Sequence, residues 1–406
     1  LTITKAQDDN YSAATTTATF TFTTATLATP SAPSASATSN TLKSIAVSWS
    51  AISNASSYTL KLYNSSNTLL ATIASLSGTS RTITTSDYAS LADNTAYKVS
   101  ITAIGDGSIY LSSSESTKSD VTTNAAPVTP TISSQPANAS ATYNATATFS
   151  VSATASDSGS LSYQWQVNTG SSWSDIAGAT DSSYTTAALA MSANNYQYRV
   201  NITNTKNGAT SSAVTSSAAT LTMSRADQSI SISSLGTSSK SYPYSQALNI
   251  ATTGSSGSGA KSYSVSDGSA TGCRLDGASS SSSATATLSA TSSGTCLITT
   301  TIAQDTNYNA ATSSSATFTF SRASQSAISA PVLSTSSKSA PLSQTPLTVS
   351  SVTGGSGTGA LSITSVANGT ATGCAWDGTT LTATSAGTCT LTITKAQDDN
   401  YSAATT

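Results

Sequence analysis

The 406-residue chain contains no histidine, and Glu115 is its only glutamate. Without histidine, the commonest general base at neutral pH, the serine–histidine relay and the commonest metal ligand are all missing. A carboxylate pair could still serve a glycosidase, but the 17 acidic residues are scattered and pair in no obvious way. Charged residues make up only 8% of the chain, against about 25% in an ordinary soluble domain. Fifteen Lys and Arg against those 17 acids leave a net charge of −2, so no clustered basic surface exists for phosphate backbones, and nucleic acid is excluded as a partner. No apolar run reaches the length of a membrane-spanning helix, and no stretch combines helical periodicity with caps. Disorder is also excluded, because it goes with high net charge and because the apolar residues here are patterned. No catalytic residue, cofactor site or metal site is therefore expected.

Threonine and serine dominate what is present. Threonine fits the pleated surface of a strand and serine fits turns. The four cysteines, Cys273, Cys296, Cys374 and Cys389, form two pairs, each close in sequence and far from the other. Two local disulfides are expected, Cys273–Cys296 and Cys374–Cys389, together with an oxidising, extracellular location. Four buried free thiols are the competing reading.

Repetition sets the frame. Residues 1–16, LTITKAQDDNYSAATT, recur without a mismatch at 391–406, an offset of 390 residues. Such identity points to a longer chain with that period. A shorter repeat lies inside it: GSSGSGAKSYSV, ATGCRLDG, SGTCLITTTIAQDTNYNAAT and ATFTF at 254–320 parallel GGSGTGALSITS, ATGCAWDG, AGTCTLTITKAQDDNYSAAT at 354–406, completed by TTATFTF at 16–22. Residues 1–29 are thus expected to be the end of a module of the 322–406 type. Ala18, Phe20 and Phe22 should need strands like those around Cys374 and Cys389 to bury their common face.

Residues 30–126 open with Pro30 and Pro33 and alternate at Ile45, Val47, Trp49 and again at Tyr58, Leu60, Leu62, the period of a half-buried strand. In LADNTAYKVSITAI, Leu91 precedes Tyr97 by six residues. This region resembles a fibronectin type III domain, and the spacing matches that family's tyrosine corner. Residues 127–223 resemble a bacterial immunoglobulin-like domain, with Leu161, Tyr163, Trp165 and Val167 on one face of a strand and Tyr198, Val200 and Ile202 on another. Antibody-type domains pack that tryptophan on a disulfide. Here Val200 stands at one cysteine place and Phe149 or Val151 at the other, so packing must replace the bridge. Residues 224–321 and 322–406 resemble the Ig-like repeats of large bacterial surface proteins. The expected fold is an all-β tandem array of Ig-like β-sandwiches, joined by the short linkers TLATPSAP, AAPVTP, MSRADQ and SRASQ.

Two motifs imitate binding sites. GSSGSGAKS at 254–262 approaches a phosphate-binding loop, yet Ala260 replaces its obligatory glycine and no helix follows, so a Gly-rich turn is expected. AQDTNY at 303–308 and AQDDNY at 396–401 offer too few carboxylates for calcium and read as turns. The function expected is a structural component of an extracellular filament or surface stalk, with neighbouring copies of itself as partner and no membrane insertion. An adhesin segment binding carbohydrate or a host surface, and an accessory region of a secreted polysaccharide-degrading enzyme, are the alternatives. Trp173 and Trp376 are the aromatics placed least like core residues.

Overall fold

The computed structural model describes residues 2–7, 9–277 and 283–406. Strands dominate, and the helical element among the described residues is one 3-10 turn, Met191–Ala193. The chain forms two compact units, one of residues 1–141, 146–187 and 193–222, the other of 142–145, 188–192 and 223–406.

In the first unit, Ser34–Ala37, Ser44–Ser48 and Ser80–Thr84 make one antiparallel sheet, and Ser119–Thr122, Ala96–Ile104, Ser57–Asn64 and Leu69–Leu76, in that order, make another. Alternation places Ile45, Val47, Leu60, Leu62, Val99 and Ile101 in one core. The tyrosine corner forms as the spacing requires: the buried Tyr97 hydroxyl accepts the Ala92 amide at 2.9 Å beside buried Leu91. Chain upstream of the Thr29/Pro30 boundary read from the sequence already belongs to this module. Ala25–Thr26 pairs in parallel with Tyr110–Leu111, and Leu27 joins the core. Leu27 is the one large apolar side chain of TLATPSAP, and burial in this core takes it out of water.

One polar cluster sits on the same module. Glu115 accepts hydrogen bonds from Lys61 Nζ at 2.8 Å, Ser100 Oγ at 2.6 Å and the Tyr63 hydroxyl, while Lys118 Nζ lies 4.1 Å from the Tyr63 ring centre. Burial pushes the Glu115 carboxyl up, but the bonds from Lys61, Ser100 and Tyr63 outweigh it and hold the group at about 2. The cluster ties strands Ser57–Asn64 and Ala96–Ile104 to the segment that follows them, which is a structural use of the lone glutamate.

The remainder of the first unit builds its sheet on Ser160–Asn168 and Gln197–Lys206, with Trp165 opposite Val200. Packing does replace the absent bridge. Phe149 stacks on Tyr198 with centroids 4.4 Å apart, Trp165 and Tyr184 complete the aromatic cluster, and Trp165 Nε1 donates to the Asp181 carbonyl at 2.9 Å. Val200 and Val151 are both buried beside it. Burial, with the neighbouring tyrosines, pushes the Tyr198 phenol up to about 12.

The second unit carries the two cysteine-containing modules. In residues 224–321, one sheet runs Ser231–Ser234, Ser245–Thr253, Ser283–Ser289, Arg274–Asp276, and the other Ser239–Ser241, Ala316–Ser321, Gly294–Ile302, Lys261–Asp267. The disulfide Cys273–Cys296 closes across the module's end with Cα atoms 5.8 Å apart, and Cys374–Cys389 does the same in the last module at 5.9 Å. Thr300, which interrupts the apolar run of its strand, is fully buried, but its amide donates to Ser313 Oγ and its hydroxyl to the Ser262 carbonyl.

Serine serves a purpose that composition alone does not reveal. Ser116, Ser216 and Ser313 each pinch the strand beside them with two bonds. Each donates its amide to a strand carbonyl (of Ile101, Val200 and Thr300) and accepts that same residue's amide on its hydroxyl at 3.0 Å. The final strand thereby switches position without leaving a buried donor unpaired.

Two outcomes follow. Glu115 has a folded value below its ordinary 4.5, so its contribution to stability is complete above that value and fades as pH falls towards about 2. Glu115→Gln is expected to lower the urea midpoint of this module at pH 7 and to converge with the parent near pH 2. Equal loss at both pH values contradicts the assignment. Non-reducing peptide mapping should recover Cys273–Cys296 and Cys374–Cys389. Their loops of 23 and 15 residues are each worth about 3 kcal/mol in the chain-entropy view, so reduction should lower the unfolding temperature of these two modules and leave residues 30–223 unchanged.

Candidate functional site: the clasped linkers and an open groove

Each linker is hydrogen-bonded to the turn that follows the long central strand of the module it enters. At the first, the Ala25 and Leu27 amides donate to the Ile109 and Leu111 carbonyls at 3.0 Å. Gly105 permits the turn to close, since a Cβ there would meet the Tyr110 carbonyl. At the second, Asn207 Nδ2 donates to the Ala125 carbonyl and Asn204 Nδ2 to that of Val128. Gly208, at φ +73°, lies against the Asn40 carbonyl, where no side chain fits.

The third and fourth linkers share one device. Arg225 and Arg322 donate through Nε to the carbonyls of Asp305 and Asp398, both at 2.6 Å. Ala226 and Ala323 donate to the Asn307 and Asn400 carbonyls and accept the Asn309 and Ser402 amides. Gln228 and Gln325 each hold a glycine amide, of Gly257 and Gly357. The two linkers read SRADQ and SRASQ, at 224–228 and 321–325. That common S-R-A-x-Q was the sequence signal for the clasp; reading these segments only as linkers missed it.

The two imitation motifs are the other half of this clasp. Asp305 accepts the amides of Ser258, Asn307 and Tyr308, and Asp398 those of Thr358, Asn400 and Tyr401. These backbone bonds hold both carboxyls down at about 2. Their oxygens are occupied by amides, as the turn reading of AQDxNY requires. The glycine-rich loops supply room: a Cβ on Gly259 or Gly359 would collide with the Ala303 or Ala396 carbonyl. GSSGSGAKS is thus a packing loop. Tyrosines complete the contacts, with Tyr308 5.4 Å from Tyr143, Tyr401 5.4 Å from Tyr242, and the Tyr244 hydroxyl donating to the Asp399 carbonyl.

The tryptophans form no exposed platform. Trp173 is covered by Arg199, whose guanidinium carbon lies 4.2 Å from the ring centre, and Trp376 packs against the core of the last module. Large exposed aromatic side chains gather instead at Phe20 and Phe22, 75% and 89% exposed. The last module has a groove of about 400 Å³, lined by Leu333, Ser337, Lys338, Leu347, Cys389 and Leu391 among others. Its main buried cluster is Leu347, Ile363 and Ile393, whereas that of the sibling module holds Phe318 and Phe320 as well as aliphatic residues.

No family model matches this chain, and no curated protein sequence does. Among solved structures, an Fn3-like protein from Clostridium thermocellum is 23% identical over 23% of this chain and 91% of its own, with a TM-score of 0.20. A two-domain fibronectin type III segment of chicken tenascin is 16% identical over 47% and 98%, at 0.21. The titin domains z1z2 in complex with telethonin are 16% identical over 48% and 96%, at 0.28. The strand order and packing described above carry the fold assignment themselves: the chain is a tandem of fibronectin type III-like and Ig-like β-sandwiches.

Proposed function

We propose that this chain is a non-catalytic length of shaft in a secreted or surface-attached filament or stalk, built from a unit of about 390 residues that repeats. The observation that carries the reading is the uniform treatment of its four linkers. A free bead-string needs no bonds between linker and module, and Gly/Ser-rich connections of that kind are flexible. Here every linker is fastened by hydrogen bonds, the second through asparagine side chains, the others through backbone amides, and two of them also by an arginine. Two disulfides suit an oxidising compartment. Among the described residues no helix is long and apolar enough to cross a membrane. Low charge suits lateral or end-to-end packing, because few ions must be desolvated. Of the tryptophans a carbohydrate-binding reading would use, Trp173 is covered by Arg199 and Trp376 packs against a core.

Antibodies raised to this chain are expected to decorate thin fibres or stalks on intact cells of its source, and labelling confined to the cytoplasm contradicts the reading. The clasp has its own test. Loss of one arginine–carbonyl bond, worth about 1.5 kcal/mol, should raise local opening about tenfold. Arg225→Ala and Arg322→Ala are therefore expected to accelerate subtilisin cleavage within 224–228 and 321–325 by about that factor. Unchanged cleavage shows that the linkers are not held by these bonds.

A further inference from the structure

Two of the joints carry the same pair of tyrosines, held in the same way. Tyr143 follows strand Ala139–Thr142 and donates its amide to the Ser224 carbonyl, and Tyr242 follows Ser239–Ser241 and donates to that of Ser321. Ser224 and Ser321 are the first residues of the two S-R-A-x-Q linkers. From the other side, Tyr308 and Tyr401 sit in the clasping turns. Each is bridged to the linker alanine, Ala226 or Ala323, and has its amide fixed by Asp305 or Asp398. Backbone bonds to one linker thus bring two rings together at each joint. Their centroids are 5.4 Å apart in both, inclined at 74° in Tyr143–Tyr308 and at 58° in Tyr242–Tyr401. At that separation ring carbons are in van der Waals contact. All four rings reach water, since Tyr143, Tyr308 and Tyr401 are half-buried and Tyr242 is 37% exposed. The pairs Tyr184–Tyr198 and Tyr242–Tyr244 differ, because each includes a buried ring, and the Tyr244 hydroxyl is committed to the Asp399 carbonyl. Few other side chains compete for an oxidant. The chain has no histidine and two methionines, of which Met223 is buried, and its four cysteines are all in disulfides.

We propose that Tyr143–Tyr308 and Tyr242–Tyr401 are sites of oxidative cross-linking, at which dityrosine bonds staple successive modules together. The oxidant is hydrogen peroxide, used through a peroxidase. Each phenol of a pair gives up one electron and one proton. The two phenoxyl radicals then join by a single carbon–carbon bond between positions ortho to the hydroxyls. The two ortho hydrogens pass as protons to the oxygens and restore both phenols. One peroxide is reduced to two waters for each bond formed, so the cross-linked pair is two hydrogens lighter than its parents. Rings already in contact couple with each other ahead of tyrosines on other chains, because the second radical forms within reach of the first. The clasp and the cross-link act in sequence: hydrogen bonds set the ring geometry, and the covalent bond makes the joint permanent.

The inference goes beyond the shaft reading and does not depend on it. The test treats the 406-residue chain in dilute solution with hydrogen peroxide and a peroxidase, then digests it and maps the peptides by mass spectrometry. Peptides joining Tyr143 to Tyr308 and Tyr242 to Tyr401 are expected, each two hydrogens lighter than the sum of its parts. When isotope-light and isotope-heavy chains are mixed before oxidation, neither pair should combine the two. Tyr308→Phe should lose the first cross-link and keep the second, and Tyr401→Phe the reverse. Phenylalanine keeps the ring, and an unchanged urea midpoint shows that each variant is folded. Subtilisin cleavage within 224–228 should release two separate pieces before oxidation and leave them joined after it. Absence of either peptide, isotope-mixed pairs, or pairs that form as readily in concentrated urea as in the folded chain each overturns the proposal. Such a failure leaves the shaft reading standing, and cells without fibres would sink the shaft reading while leaving the cross-links standing.

Discussion

Each sandwich hangs on one long strand: Ala96–Ile104, Gln197–Lys206 and Gly294–Ile302, hydrogen-bonded on both edges, and Cys389–Lys395, whose second edge is bonded at Ile393–Lys395. Its inward side chains supply the core, as Val99 and Ile101, Val200 and Ile202, Ile298 and Ile302, and Ile393 do. Midway along, a serine pinches it in three of the modules. In the last, Thr406 does so through its backbone, exchanging two bonds with Ile393. The turn that follows it clasps the incoming linker. Core, final strand and joint are therefore all set by one element, and a defect in its pairing would reach all three.

The unusual composition follows from how these strands meet. Cross-strand hydroxyl pairs recur on the solvent faces, among them Thr148 with Thr185, Ser264 with Thr299, Thr301 with Thr312 and Thr364 with Thr394, at 2.7–3.0 Å. Such pairs do the work that charged pairs do on other sheets. They carry no net charge, so the outer faces remain compatible with close packing. Ion pairs are correspondingly few, and the best-placed one, Lys61 with Glu115, belongs to a hydrogen-bonded cluster rather than to the open surface.

Much of this fold was legible in the sequence because strand periodicity and repeats are local signals. The alternations at Ile45–Trp49 and Tyr58–Leu62 gave buried faces, the Leu91–Tyr97 spacing gave a corner, and the cysteine spacing gave two bridges. The aromatic replacement at Phe149 was readable only as one of two positions, since Tyr198, on which it stacks, comes from a distant strand. Thr300 read as a break in an apolar run, yet it is buried, because Ser313 and Ser262 satisfy it across long sequence separations. The shared S-R-A-x-Q marked two of the clasping segments, but the partners of the clasps were hidden for the same reason. Arg225 and Asp305 lie 80 residues apart, and the bond uses a backbone carbonyl that no side-chain pattern announces. Leu27 was assigned to the wrong side of a boundary, because a single apolar residue carries no period.

The central claim is that the turn after each long strand holds the linker that enters its module. Hydrogen exchange reads this directly, because the Ala226 and Ala323 amides donate to the Asn307 and Asn400 carbonyls. Both amides are predicted to exchange far more slowly than in an unfolded chain of the same sequence. Exchange of either amide at the unfolded-chain rate would contradict the account.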